Sequence, residues 1–284
     1  FCTLLDRREA SQIMSAVTGA AFTAVIYFGF NFYNYLVIPL CGKLQPLRIP
    51  DRAPRFEKLA WIDHIYITFS RLVTALFVYH CYLFTTSSYS GMNTSFDSDS
   101  VIACLIQMPL QLPMAFIIYD FFYTLFHWAL HWEPIYPLIH KHHHRQMTPF
   151  RGNADAINVH PIEYVVGEYD HLFTMFLMTR IFGTGNVHAL LFIVFIAIGG
   201  ALASLNHTRF DIQLPYVFNV RAHDYHHRQP LCNFGQYIML WDCVFGTFMP
   251  CEPRSSDAQA DKLKKKVAAE MEAAAEKEKK KAQQ

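Results

Sequence analysis

Uninterrupted apolar stretches, long enough to cross a hydrocarbon layer of about 30 Å, constrain this chain more than any other feature. The first runs from Ser15 to Cys41 without a charge. A short loop at 43–58 follows, carrying Lys43, Arg48, Arg52, Arg55 and Lys58 among prolines; such a basic loop is expected on the cytosolic side. A second span is expected from about Trp61 to Phe84. Arg71 and His80 interrupt it, and Arg71 needs a polar partner or an escape to the interface. Thr85 to Ser100 is rich in Ser and Thr and lacks Lys and Arg, as befits a loop on the far side. The third span, Val101 to about Phe126, then returns to the cytosol, with kinks expected at Pro109 and Pro113. This alternation delivers His127 to the cytosolic interface. Residues 127–160 are crowded with His, Trp and Pro and do not form a span. Leu172–Phe182 and Val187–Leu205 flank a turn signal at Gly183–Asn186, so they read as a hairpin that enters from the cytosol and returns, its first arm short.

Composition agrees with a membrane protein. Hydrophobic residues make up 52% of the chain and charged ones 17%, against about a quarter charged in a soluble domain. The expected fold is all-α, a polytopic membrane bundle of about four embedded helices or hairpin arms. A net charge of +1 offers nucleic acid no attraction, so that class of partner is set aside. The cysteines at 2, 41, 81, 104, 232, 243 and 251 form no CxxC pair and read as buried thiols. Two regions are expected: a membrane domain over 1–256, and a Lys-, Glu- and Ala-rich tail over 257–284 that is a solvated helix or disordered.

Fifteen histidines are present, and ten of them fall into short clusters that begin where the third span ends. His127 and His131 form HxxxH. His140, His143 and His144 form HxxHH, His160 precedes Pro161, His207 follows the hairpin, and His223, His226 and His227 form a second HxxHH. Helical positions three and four apart share a face, so each cluster can aim two or three imidazoles at one point. Neutral imidazole binds iron, zinc, copper and nickel. A structural zinc site closes with four ligands and commonly uses Cys; eight to ten histidines without paired cysteines exceed that need and favour two ions. The carboxylate-rich ligand set of soluble di-iron bundles is absent.

These motifs, His127-Trp-Ala-Leu-His131, His140-Lys-His-His-His144 with Pro149, His160-Pro-Ile-Glu163, Asn206-His207-Thr-Arg-Phe-Asp211 and His223-Asp-Tyr-His226-His227, resemble in order and spacing those of the fatty acid hydroxylase and sterol desaturase superfamily. The likeness covers about residues 105–250, including Asn233-Phe-Gly235 and Trp241-Asp242. It implies membrane helices under a cytosolic helical cap and two non-haem iron ions, for which zinc can substitute in purified protein. The implied ligands are His127, His131, His140, His143, His144, His207, His223, His226 and His227, with His160 completing the set; the two HxxHH clusters and the HxxxH pair carry catalysis. Relatives with HxxxH at the fourth cluster have a second His where this chain has Asp211, which points Asp211 to a supporting role. Oxidation of a lipid by O2, as hydroxylation or desaturation, is implied, at the endoplasmic reticulum. No HPGG segment of a fused cytochrome b5 occurs, so electrons are expected from a separate cytochrome b5 and NAD(P)H reductase, or a ferredoxin. The His160-Pro-x-Glu163 element tilts the substrate towards sterol over fatty acyl chains. The rival class is a zinc-binding membrane protein, a transporter or a non-catalytic scaffold.

Other polar residues divide between two readings. His142 is expected to point away from its neighbours, and His64, His80 and His188 read as structural. His171 is balanced between roles. Asp120, seven residues before His127, and Asp224 either hold a ligand imidazole by its second nitrogen or satisfy a nearby Arg or Tyr.

Overall fold

The computed structural model describes residues 35–44, 47–214 and 217–250, with scattered positions between 17 and 28. Most of the expected first span and the whole 257–284 tail therefore lie outside the described residues. The chain up to Met249 forms one compact unit.

Helix α1 (Tyr35–Leu44) is the described end of the first apolar stretch. Helices α2 (Trp61–Thr86) and α3 (Ser98–Leu130) follow, then a 3-10 turn at His143–Arg145 and α4 (Asn153–Ala156). Helices α5 (Pro161–Phe182) and α6 (Ala189–Asn206) make the hairpin. A two-residue ribbon pairs β1 (Gln213–Leu214) with β2 (Phe218–Asn219), and α7 (Val220–Arg228) and α8 (Leu240–Phe245) complete the described chain. The protein is an all-α membrane protein in which α2, α3 and α6 are long and apolar enough to cross a bilayer.

The helix ends follow from the sequence. Asp97 caps α3 by accepting from the Ser100 N–H at 2.9 Å, and α3 continues unbroken through Pro109 and Pro113. The Asp63 carboxylate reaches back to the Ala60 N–H at 2.6 Å, satisfying a donor that the first turn of α2 leaves open. Gly183 and Gly185 take φ of 86° and 84°, which side chains with a Cβ resist, and they turn the chain from α5 into α6. The first arm is longer than its apolar stretch suggests. Pro161 at the first helical position extends α5 back to the end of the histidine-rich segment.

The two ends of the bundle are distinct. Away from the histidines, the α2–α3 loop meets the hairpin turn: Asn93 N–H donates to Val187 O at 2.8 Å and Gly185 N–H to Gly91 O at 2.8 Å. At the other end the basic loop straps the segment after α6, with Ile49 N–H on Arg209 O at 2.8 Å and Asp211 N–H on Leu47 O at 3.1 Å. All the clustered histidines lie at this end, as the span alternation requires. Between the ends, Phe77, Tyr119, Met175, Met178, Leu191, Phe195 and Tyr237 pack the core.

Gly199 marks a close approach in that core. A Cβ there would lie 2.9 Å from Tyr237 Oη and 3.2 Å from His171 Nε2, two atoms that hydrogen-bond each other at 3.1 Å. Gly199→Ala is expected to force them apart and lower stability by about 1–3 kcal/mol, the usual scale of overpacking, read as a lower melting temperature in detergent.

Candidate metal centre

Nine of the ten predicted ligands converge in two adjoining buried groups. His127, His131, His140, His144 and His226 form one, and His143, His207, His223 and His227 the other; within each group the candidate ligand atoms lie within 4.8 Å of one another. The groups touch through His140 and His143, whose ring centroids are 5.5 Å apart, and through His144 and His227 at 5.1 Å.

Separate elements deliver these rings. His127 and His131 leave the C-terminal end of α3, and His207 follows the last residue of α6. His223, His226 and His227 share the inner side of α7, where the Asn219 side chain caps the Arg221 N–H at 3.0 Å. Helix α7 is fastened to the segment after α6 by two crossed buried ion pairs. Asp211 grips Arg221 at 2.7 and 2.8 Å, and Arg209 pairs with Asp224. These crossed pairs bring His207 against His223, Nε2 to Nε2 at 3.1 Å.

Backbone carbonyls fix the tautomers of three rings. His127 Nδ1 lies 2.7 Å from Phe234 O, His207 Nδ1 2.8 Å from Ala203 O and His226 Nδ1 2.6 Å from Cys232 O. A carbonyl can only accept, so each Nδ1 carries the hydrogen and each Nε2 presents a bare lone pair inward. His140 Nδ1 faces a carboxylate instead, Glu163 Oε1 at 2.9 Å. The inward nitrogens crowd together: His140 Nε2 is 3.0 Å from both His127 Nε2 and His144 Nε2. In the other group His207 Nε2 is 3.2 Å from His143 Nε2, and His223 Nε2 is 3.1 Å from His227 Nε2. His226 Nε2 and both nitrogens of His131 are buried with no hydrogen-bond partner.

Ring nitrogens this close must share a hydrogen or a cation between them, and a divalent ion fits the spacing. Nitrogens bound at about 2.1 Å are about 3.0 Å apart at right angles and about 3.4 Å apart tetrahedrally. The observed 3.0–3.2 Å spacings fit one ion per group. Burial pushes the pKa values of His140, His143, His144, His223, His226 and His227 well down, with repulsion from neighbouring rings adding to it. The rings are therefore neutral, the form that binds metal.

His160 joins neither group. Its Nδ1 accepts from the Ile162 N–H at 3.3 Å, capping α5, and its ring packs edge-on against Tyr66. Three residues on, Glu163 reaches His140, so the His-Pro-x-Glu element contributes its carboxylate to the site and its imidazole to the helix end. The aspartates also resolve. Asp120 holds neither an imidazole nor an Arg or Tyr side chain: its carboxylate accepts from the backbone N–H groups of Gln236, Tyr237 and Ile238. Asp242 grips the same loop from the other side, accepting from Phe234 N–H at 2.7 Å and Gly235 N–H at 2.8 Å. That loop presents the Phe234 carbonyl to His127. A Cβ on Gly235 would meet Ile238 O at 2.6 Å, so only glycine fits there. Asp211 and Asp224 pair with arginines. His142 turns away to Asp63 at 2.9 Å, His188 caps α6, His80 meets Tyr169 at 2.7 Å and His171 meets Tyr237. Glu163 and Asp242 stood within recognised motifs; the carbonyl acceptors carry no side-chain signature.

Residues 112–247 match the family model for fatty acid hydroxylases. A rat protein, methylsterol monooxygenase 1 of Rattus norvegicus, is 28% identical over 127 residues, covering 40% of this chain and 38% of that protein. Both matches support the fatty acid hydroxylase and sterol desaturase superfamily over the segment that carries the histidines. No solved structure gives a significant match. The family match begins within α3 and ends after α8, so it takes in both histidine groups and the loop gripped by Asp120 and Asp242. Both histidine groups in the matched segment could hold a metal ion.

Depressed histidine pKa values give the metal-free protein a pH dependence of definite sign. In the unfolded chain these rings protonate near pH 6.5, whereas in the folded chain they stay neutral to much lower pH. Their contribution to stability is therefore full above about pH 6.5 and falls as pH drops below it. Thermal unfolding of metal-free protein in detergent, scanned from pH 7.5 to 5, is expected to show a steep acid-side loss; a flat profile would contradict the buried neutral arrangement.

Proposed function

We propose that the protein is an O2-dependent non-haem di-iron oxidoreductase that hydroxylates or desaturates a lipid, a sterol or a fatty acyl chain. The observation that carries this reading is the pair of adjoining all-histidine groups at one end of a membrane bundle. In this reading the ligands are His127, His131, His140, His144 and His226 for one ion and His143, His207, His223 and His227 for the other. Bound there, two ferrous ions would supply the reduction of oxygen and the abstraction of hydrogen from an unactivated carbon.

The chain's own part is binding, orientation and exclusion of water. The carbonyls of Phe234, Ala203 and Cys232 keep each Nδ1 protonated and each Nε2 free to bind. A cavity of about 120 Å³ between α2, α3, α5 and α6 has Tyr123, Glu163, Ala203 and Gln236 on its wall, next to the histidine groups. Tyr123 packs against the His127 ring at 5.5 Å between centroids, and Ala203 holds His207. An apolar chain or ring system drawn from the bilayer would thus arrive beside both groups. Sterol is favoured over acyl chain by the similarity to methylsterol monooxygenase 1. The family resemblance further supports the endoplasmic reticulum, a cytosol-facing histidine end, and a cytochrome b5 with its NAD(P)H reductase as electron donor. The membrane domain is taken to run to about residue 256.

One observation favours the rival of a zinc transporter: Arg71, Glu168 and His171 line the cavity inside the bundle, where a transport path would need ionisable groups. Metal analysis separates the two. Near two irons per chain, with oxygen consumed on reduction, supports the oxygenase, and zinc uptake into vesicles without oxygen consumption supports the rival.

Mass spectrometry of lipids from host cells with and without the protein is expected to show a sterol or acyl species gaining a hydroxyl or a double bond. His143→Ala and His226→Ala, one in each group, are expected to abolish that product while the protein stays membrane-inserted. Product formed by either variant would contradict the ligand assignment.

A further inference from the structure

Glu163 is the one acidic side chain within ion-pair reach of a clustered histidine among the described residues, and its placement is unusual for its position in a helix. It is the third residue of α5, where a glutamate commonly turns back to the N–H of the capping residue. Here only one half of such a cap is made: the His160 ring accepts from the Ile162 N–H, and Glu163 does not turn back. The Glu163 side chain points instead to His140, Oε1 to Nδ1 at 2.9 Å, with both side chains almost wholly buried. Its second oxygen, Oε2, is buried with no hydrogen-bond partner. His140 Nδ1 is likewise without a hydrogen-bond partner, so the two side chains meet at ion-pair distance only; a buried carboxyl group placed so is costly, and neither α5 nor the core gains a hydrogen bond from it.

His140 also meets two rings of its group nitrogen to nitrogen. Its Nε2 lies 3.0 Å from both His127 Nε2 and His144 Nε2, and its ring contacts His131 at 4.5 Å between centroids. His127 and His226 are steered by backbone carbonyls, and mutation of a side chain leaves those acceptors in place. His140 is steered by a side chain. The four-histidine group has no carboxylate of this kind: the buried Asp211 and Asp224 are taken up by Arg221 and Arg209.

We propose that Glu163 is a positioning residue for the five-histidine group alone, its carboxyl group at ion-pair distance behind His140 Nδ1 setting the ring so that Nε2 faces the metal, and leaving the four-histidine group to bind independently. This rests on the di-metal reading above. A carboxylate behind a ligand imidazole fixes the ring and raises its basicity, and removing such a partner typically lowers metal affinity about 10–100-fold.

The test is a count of bound iron. Full-length protein in detergent is loaded anaerobically with ferrous iron, challenged with graded chelator, and its iron and zinc measured by mass spectrometry. Wild type is expected to hold two ions per chain. Glu163→Ala should release one of them at about 10–100-fold lower chelator concentration and keep the other at wild-type affinity. Glu163→Gln, which keeps the shape of the side chain and an oxygen behind the His140 ring, should restore much of the loss, and a His143→Ala background should remove the ion that Glu163→Ala spares. Two ions held by Glu163→Ala at wild-type affinity would overturn the assignment, as would equal loss of both ions or equal loss in the Ala and Gln variants. A wild-type chain that holds no pair of ions would instead bring down the di-metal reading, a distinguishable result.

Discussion

Ring nitrogens that face one another at 3.0–3.2 Å in a dry interior are the constraint on which the rest of this structure turns. Nine imidazoles must be desolvated, kept neutral, and aimed at common points. None of these is favourable by itself, since desolvation of polar groups costs free energy and convergent lone pairs repel. The surrounding protein is organised to impose the arrangement. Carbonyls placed behind His127, His207 and His226 decide which nitrogen carries hydrogen, and so which nitrogen is offered inward. A cation in each group would turn this crowding into coordination, and would then stabilise the fold as well as supply chemistry.

Buried charge around the site follows the same logic. Asp120 and Asp242 accept backbone N–H groups on successive residues of one loop, fixing the Phe234 carbonyl that orients His127. Asp211 with Arg221, and Arg209 with Asp224, join the end of α6 to α7. Breaking a buried pair from one side costs about 3–5 kcal/mol, so these pairs make the placement of α7 all-or-none. The membrane helices supply the frame: α3 and α6 end at the same level, and their last turns carry His127 and His207 there.

Much of this was legible in the sequence, because the signals are periodic. Span lengths and the alternation of loops placed the clusters at one end, and the three- and four-residue spacings of HxxHH put rings on one face. His160 shows the limit. As a residue preceding proline it reads the same whether it binds metal or caps a helix, and only the three-dimensional path of α5 reveals that Ile162 takes its nitrogen. Asp120 misled for a similar reason. Helical spacing aligned it with His127, but the side chain instead meets a loop 116–118 residues away, and such pairings leave no local pattern. The backward extension of α5 depends on Pro161 starting a helix in a stretch that is not itself apolar.

The two groups are unequal, five rings against four, and the cavity bears on both. Glu163 lies on the cavity wall and behind His140 of the larger group, while Ala203, on the same wall, holds His207 of the smaller. The wall of the cavity and the orienting partners of the ligands are thus partly the same residues. A ligand that displaces α5 or α6 by a few tenths of an ångström would move Glu163 or the Ala203 carbonyl, and with it the ring each one steers. Occupancy of the cavity and geometry at the histidines cannot then be independent. In the proposed reading this dependence means that a badly fitting lipid would disturb the ligands as well as misplace its own carbon. Selection of substrate would accordingly be exerted at the site's second ring nitrogens as much as by the shape of the cavity.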